Sequence, residues 1–250
     1  NRIAGDDLIA LDGTNSEEII VGSISSSGPP GAGTNSLTVS SNLVLDGSHS
    51  FDVLNIVNGG TITPSNCGTL MITANEINVQ AGGAIIADSI VWDGPGAGGH
   101  EITSSSGAGN GAGGAEHSSP GHNGAGVNNP NNGGAMYGSG VECGSSGGNI
   151  TSNNPTSGGR GGSTISLLSN IMTIDGTISS NGENAQDGQV APGGTGPGGH
   201  GAGGGSAGSI TLQANSISIG TTGSILARGG DGGDGADGTQ GPNPGIGMYD

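Results

Sequence analysis

Between Leu70 and Ala87 apolar and polar residues alternate in short runs: Leu70, Ile72 and Ala74, then Ile77 and Val79, then Ile85 and Ala87. The same spacing returns without a gap at Ile210, Leu212, Ala214, Ile217, Ile219, Ile225 and Ala227. Alternation of this kind is the period of a strand that buries one face. An Ala-Asn pair (Ala74-Asn75; Ala214-Asn215) and a glycine (Gly83; Gly223) also coincide, and these breaks divide each copy into three short strands and two corners. A third copy runs over 162–182, with Ile165, Leu167, Met172, Ile174 and Ile178 in the apolar slots, Asn170 at the asparagine slot and two residues missing before Gly176. A looser fourth begins at Ser36, with Leu37, Val39, Asn42, Leu43 and Leu45.

A unit of about 20 residues with three half-buried strands cannot cover its inner face alone, whereas stacked copies share one continuous core. The pattern therefore predicts an all-β fold, a right-handed parallel β-helix in which each copy is one coil. The same alternation also suits an antiparallel β-sandwich, and hairpin-type turns are present at Asp12-Gly13, Asn58-Gly59 and Asp175-Gly176. Both architectures stay open at the level of sequence.

Outside the repeat the chain changes character. Residues 1–27 hold two strand candidates, Leu8 to Leu11 and Ile19 to Ile24, that fit the repeat poorly; they read as a cap on the stack or as an arm donated to a neighbouring copy. Residues 28–250 form the β-helix domain, interrupted by glycine-rich insertions at 94–162, 182–208 and 229–245, each following a copy at the same place. In the last insertion Gly229, Gly232, Gly235, Gly238 and Gly241 keep a strict spacing of three. Three residues per turn is the period of the polyproline II helix, and glycine along one edge lets such helices approach backbone to backbone. The insertions are expected to lie side by side as extended left-handed helices, paired through their amides and carbonyls.

Composition narrows the function. Of 250 residues 59 are glycine and 30% are hydrophobic, so the core is narrow; aromatics amount to 2% and lysine is absent. A net charge of −17 repels phosphate backbones and anionic headgroups, which argues against nucleic acid and membrane surfaces. No apolar run is long enough to insert in a bilayer. Cys67 and Cys143, an even pair in a weakly charged chain, point to an extracellular disulfide.

The search for chemistry returns little. The acidic residues Asp6, Asp7, Glu17 and Glu18 sit in the arm, and three arginines in all leave little to polarise an acidic sugar, so the chain is not expected to be an enzyme. His117 and His122 lack the spacing of a zinc or copper motif and read as solvent-facing. Asp231, Asp234 and Asp237, spaced by three, would line one edge of a three-per-turn helix, a weak calcium candidate; no other cofactor is implied.

The repeat G-S-I-x-L-x-A-x-x-I-x-I-x-x-x-G-x-I-x-A at 208–227, followed by glycine runs, resembles the glycine-rich repeats of secreted bacterial β-helix surface proteins of the filamentous-haemagglutinin and autotransporter-passenger type. The glycine insertions are similar to the polyglycine II bundles of phage tail-tip adhesins and of a glycine-rich arthropod antifreeze protein. The first resemblance covers about half the chain and the second about a third, and neither transfers a site residue by residue. With no recognisable site, a chemically monotonous surface and the open strand edges in which a β-helix ends, the chain reads as a secreted, cell-surface structural protein that self-assembles into a filament, sheath or surface layer, its main partner being itself. The alternative is a monomeric adhesin or ice- or glycan-binding module, with glycans or other cell-surface components as partners.

Overall fold

A computed structural model of the chain describes residues 10–11, 18–19, 35–65, 67, 69–90, 143–149, 156–189, 201–234 and 236. Among these the strands in chain order are β1 (Ala10–Leu11), β2 (Glu18–Ile19), β3 (Ser36–Val39), β4 (Asn42–Val44), β5 (Gly47–Ile56), β6 (Thr61–Thr63), β7 (Thr69–Val79), β8 (Ala84–Ile86), β9 (Thr164–Ile174), β10 (Thr177–Ser179), β11 (Ile210–Ile219) and β12 (Ser224–Leu226), and there is no helix. The fold is all-β. Two five-stranded sheets dominate it, one in the order β11-β9-β7-β5-β3 and the other β12-β10-β8-β6-β4. Every pairing within them is parallel, so the antiparallel sandwich does not form.

The turn at Asn58-Gly59 shows why that signal misled. Gly59 has φ +86° and Gly82, at the equivalent turn, +80°, the left-handed region that glycine favours. These turns lead from β5 to β6 and from β7 to β8, and the strands they join belong to different sheets. They are corners, not hairpins.

Each long strand with the short strand that follows it makes one tier, and corresponding residues of successive tiers lie in register. One inward column runs Leu37, Leu54, Ile77, Met172, Ile217; a second runs Val39, Ile56, Val79, Ile174, Ile219; a third, in the short-strand sheet, runs Leu43, Ile62, Ile85, Ile178, Ile225. The register reproduces the alignment of the third copy, since Ile165, Leu167, Met172 and Ile174 pair with Leu70, Ile72, Ile77 and Val79. Three expectations change in detail. The Ala-Asn break bends a single long strand instead of ending it, since β7 runs from Thr69 through Asn75 to Val79. The looser copy at Ser36 is half a tier, because β3 pairs only with the second half of β5, and Asn42 stands beside Thr61, away from the asparagine slot. A full tier at Gly47–Thr63 accompanies it, with Gly47, His49 and Phe51 where the next tier has Leu70, Ile72 and Ala74.

The glycine-rich chain pairs by a different rule. The amides of Gly182, Ala185 and Gly188 donate to the carbonyls of Arg228, Asp231 and Asp234 at 2.8, 2.8 and 2.7 Å. Glu183 and Gln186 donate to Arg160 and Ser157; Gly205 and Ala202 donate to Glu183 and Gln186; Gly230 and Gly233 donate to Gly205 and Ala202. Every step along a segment is three residues. Segment 201–208 occupies the middle, bonded to 143–149, 156–162, 181–189 and 228–234. A side chain has no room there: a Cβ on Gly204 would stand 2.1 Å from the carbonyl oxygen of Gly230, and one on Gly147 1.9 Å from that of Gly203. Glycine is thus required by close backbone approach. The Cys67–Cys143 disulfide forms, Cα–Cα 5.7 Å, and ties the loop after β6 to the first described residue of segment 143–149.

Of the 1–27 arm only β1 and β2 are described, an antiparallel pair that joins neither large sheet. The rest of the arm, all of 94–142 with His117 and His122, and Asp237 lie outside the described residues.

Candidate functional site

The core columns are closed along most of their length and open at one end. In the first column Leu37, Leu54, Ile77 and Met172 are all 0% exposed, and Ile217 is 42% exposed. In the second, Ile174 is fully buried and Ile219 is 53% exposed; in the third, Ile178 is fully buried and Ile225 is 37% exposed. These three isoleucines are core residues by sequence and by register. They are uncovered where β11 and β12 are the outermost described strands of their sheets.

Polar groups mark the same edge. Where each long strand bends, asparagines stack one above the next: Asn75 Nδ2 donates to Asp52 Oδ1 (3.0 Å), Asn170 Nδ2 to Asn75 Oδ1 (3.1 Å) and Asn215 Nδ2 to Asn170 Oδ1 (3.2 Å). Asp52 also accepts the backbone amide of Asn35 at 3.1 Å, which finishes the ladder at the first tier. At the other end, among the described residues, no further tier donates to Asn215. The open edge therefore presents the amide oxygen that each lower asparagine uses to hold the tier above.

A second set of acceptors follows the same step. Asn181 Oδ1, Asn184 Oδ1 and Asp187 Oδ1 accept the backbone amides of Arg228, Asp231 and Asp234, at 2.9, 2.8 and 2.8 Å, each 47 residues further on, the interval between paired residues of β10 and β12. Asp231 and Asp234 occupy, in the outer segment, the places that Asn184 and Asp187 occupy in the one beneath, and both are exposed. An asparagine and an aspartate serve alike in that slot, so it is built to accept an N–H and does not depend on charge.

Of the calcium candidates, Asp231 and Asp234 share this edge and Asp237 lies outside the described residues. Among the described residues no three His, Cys, Asp or Glu converge on a point. Calcium takes six to eight oxygens, of which two carboxylates supply at most four. Arg160 and Glu183 face each other at 3.7 Å between neighbouring glycine segments, both side chains more than two-fifths exposed, and an ion pair so wet contributes little.

Along these asparagines runs a groove of about 400 Å³, lined by Asn75, Asn170 and Asn215 together with Thr73, Leu168 and Gln213. Among the described residues no ionisable one lines it. The alignment of asparagines was legible in the repeat; their function as a ladder was not. The 47-residue step linking Asn184 to Asp231 and Asp187 to Asp234 was also present in the sequence, in segments too rich in glycine for apolar alternation to reveal it.

Comparison with known protein families, with curated proteins and with solved structures found no match to this chain.

Proposed function

We infer that the chain is a structural protein of the cell exterior that associates with copies of itself into a filament, sheath or surface layer. On this reading the tiers are coils of a right-handed β-helix, and the glycine segments form a polyglycine II-type bundle beside it. The observation that carries the reading is the run of core columns to an uncovered end at Ile217, Ile219 and Ile225. An unpaired strand edge with apolar residues beneath it is a template for another chain, and repeating heterologous contacts of that kind yield open polymers. The Cys67–Cys143 disulfide fits an oxidising compartment.

Sedimentation velocity across a hundredfold range of concentration, with negative-stain microscopy of the same sample, tests this. Assemblies many times the 23.5 kDa chain mass are expected; a monomer at every concentration overturns the reading. The groove along the asparagine ladder supports a second one, a polar binding module for neutral glycans. Glycan-array binding by a chain that stays monomeric would favour it.

A further inference from the structure

We propose that two copies of this chain pair through the outer edge of the glycine segment 228–234, antiparallel and around a two-fold axis. This contact is separate from the strand edge of β11, and it goes beyond the self-assembly reading.

The edge is a row of the bundle with no described row beyond it. In the segment beneath, the amides of Gly182 and Ala185 donate to the carbonyls of Arg228 and Asp231, both at 2.8 Å, while Asn184 Oδ1 and Asp187 Oδ1 accept the amides of Asp231 and Asp234. The groups 47 residues further on are the amides of Gly229 and Gly232 and the carboxylates of Asp231 and Asp234. Among the described residues none of them has a partner. Gly229, Asp231, Gly232 and Asp234 are all exposed, whereas the amides of Gly230 and Gly233 are spent on Gly205 and Ala202. Arg228, at the head of the segment, is exposed too and makes no ion pair among the described residues. A row of unpaired backbone groups is a template for another chain.

This edge complements itself. Its donors stand three residues apart and so do its acceptors, a step of about 9 Å in a three-per-turn helix. Laid antiparallel, Gly229 of one copy meets Asp234 of the other and Gly232 meets Asp231; the two-fold axis repeats both contacts, so each free amide faces a carboxylate. Hydrogen bonds to an ionised oxygen are the stronger kind. Antiparallel neighbours already occur inside the bundle, where Gly205 and Ala202 donate to Glu183 and Gln186. The same register sets Arg228, next in the chain to Gly229, beside Asp234 of the second copy, which brings a cation to each end of an otherwise acidic contact. Gly229 and Gly232 carry no side chain to hold the backbones apart. Nothing described requires glycine there, since a Cβ would stand no closer than 3.6 Å to any described atom and neither residue has a left-handed φ. A patch that pairs with its own copy is isologous and closes at two chains.

Sedimentation velocity on full-length variants tests this. The wild type is expected to show, as its smallest associated species, a particle of about 47 kDa, twice the chain mass. Gly229→Pro with Gly232→Pro removes both free amides and no hydrogen bond within the chain, and the fixed φ of proline suits an extended left-handed helix. That variant is expected to unfold at the wild-type temperature or above and to lose the paired species. Arg228→Asp alone and Asp234→Arg alone set like charges against each other, and each is expected to weaken pairing severalfold. An equimolar mixture of the two is expected to pair again, because each altered charge then faces its opposite. A proline variant that pairs as the wild type does, or a mixture that pairs no better than either charge variant, overturns the proposal. Polymers that form without a 47 kDa species, and equally in the proline variant, remove this contact and leave the self-assembly reading. A wild type that stops at the pair keeps the contact and removes the polymer; a monomer at every concentration removes both. Should the proline variant lose its cooperative unfolding transition, the charge variants and their mixture decide alone.

Discussion

At the first tier the strands are short, β3 and β4 having four and three residues, and the half of β5 that they leave unpaired carries Gly47, Ser48, His49 and Ser50. At the last tier β11 keeps ten residues and its inward positions are Ile, Leu, Ala, Ile and Ile. Short strands and polar residues are how a sheet edge is made unreceptive; a long edge above an apolar floor is receptive. One repeat thus produces two unlike ends. The chain finishes its columns on one side by burial and by Asp52, which takes up both the Asn35 amide and the ladder above it, and leaves them unfinished on the other.

The largest effect expected from breaking this asymmetry concerns the disulfide. Cys67 follows β6, in the closed half of the stack, and its bond closes a span of 76 residues to the glycine segments. Replacing both cysteines with serine is expected to cost about 4 kcal/mol, on chain-entropy grounds. Urea unfolding at a chain concentration at which sedimentation shows monomer, so that assembly contributes nothing, measures it. A loss under about 1 kcal/mol would mean that the glycine segments hold themselves to the stack without it.

Next in size is a comparison within one column. Leu43→Ala at the closed end removes a side chain that is 1% exposed and is expected to cost about 3 kcal/mol. Ile225→Ala, the same column at the open end and 37% exposed, is expected to cost about 1 kcal/mol or less at the same dilution. Equal costs would show that the closed end is not closed in solution. A smaller version of the test uses the ladder. Asn170→Ala interrupts it between Asn75 and Asn215 and is expected to cost about 1 kcal/mol, whereas Asn215→Ala, with one neighbour, costs a few tenths.

Much of the middle of this molecule was legible in its sequence because there each tier repeats the same columns. Leu70 to Val79 and Ile210 to Ile219 announce their register by alternation alone, and Met172, though unlike its neighbours Ile77 and Ile217 in type, keeps the slot. Legibility failed where the ends depart from the rule. The tier at Gly47–Thr63 was obscured because β3, the described strand beneath it, pairs only with its second half, and its first half carries Gly47 and His49 where the next tier has Leu70 and Ile72. The half-tier at Ser36 was legible as a copy but not as a half, since four residues of alternation fit either arm of the bend. The spacing of three was visible at 229–241, yet the same spacing governs hydrogen bonds in 157–160 and 202–206, where Arg160, Ala202 and Ser206 hide it. There the requirement falls on the residues that meet a neighbouring backbone, such as Gly204, and the rest vary. The open edge could not be read at all: Ile217 is written like Ile77, and only the strand order separates them.

The smallest expected effect decides what Asp231 and Asp234 are for. A calcium site would need their charge, because calcium is held by carboxylate oxygens and its affinity depends on how many are charged. An amide-accepting slot needs only an oxygen, and the tier beneath supplies the demonstration: Asn184 Oδ1 receives the Asp231 amide at 2.8 Å, the same distance at which Asp187 Oδ1 receives that of Asp234. Asp231→Asn with Asp234→Asn is therefore expected to leave the unfolding free energy within about 0.5 kcal/mol of the parent, as for surface changes generally, and to leave the assembled mass unchanged. Adding EDTA to the wild-type assembly is expected to be equally silent. Assemblies that disperse in EDTA and return with calcium, and that the double asparagine variant cannot form, would show that charge at this edge recruits a cation between copies.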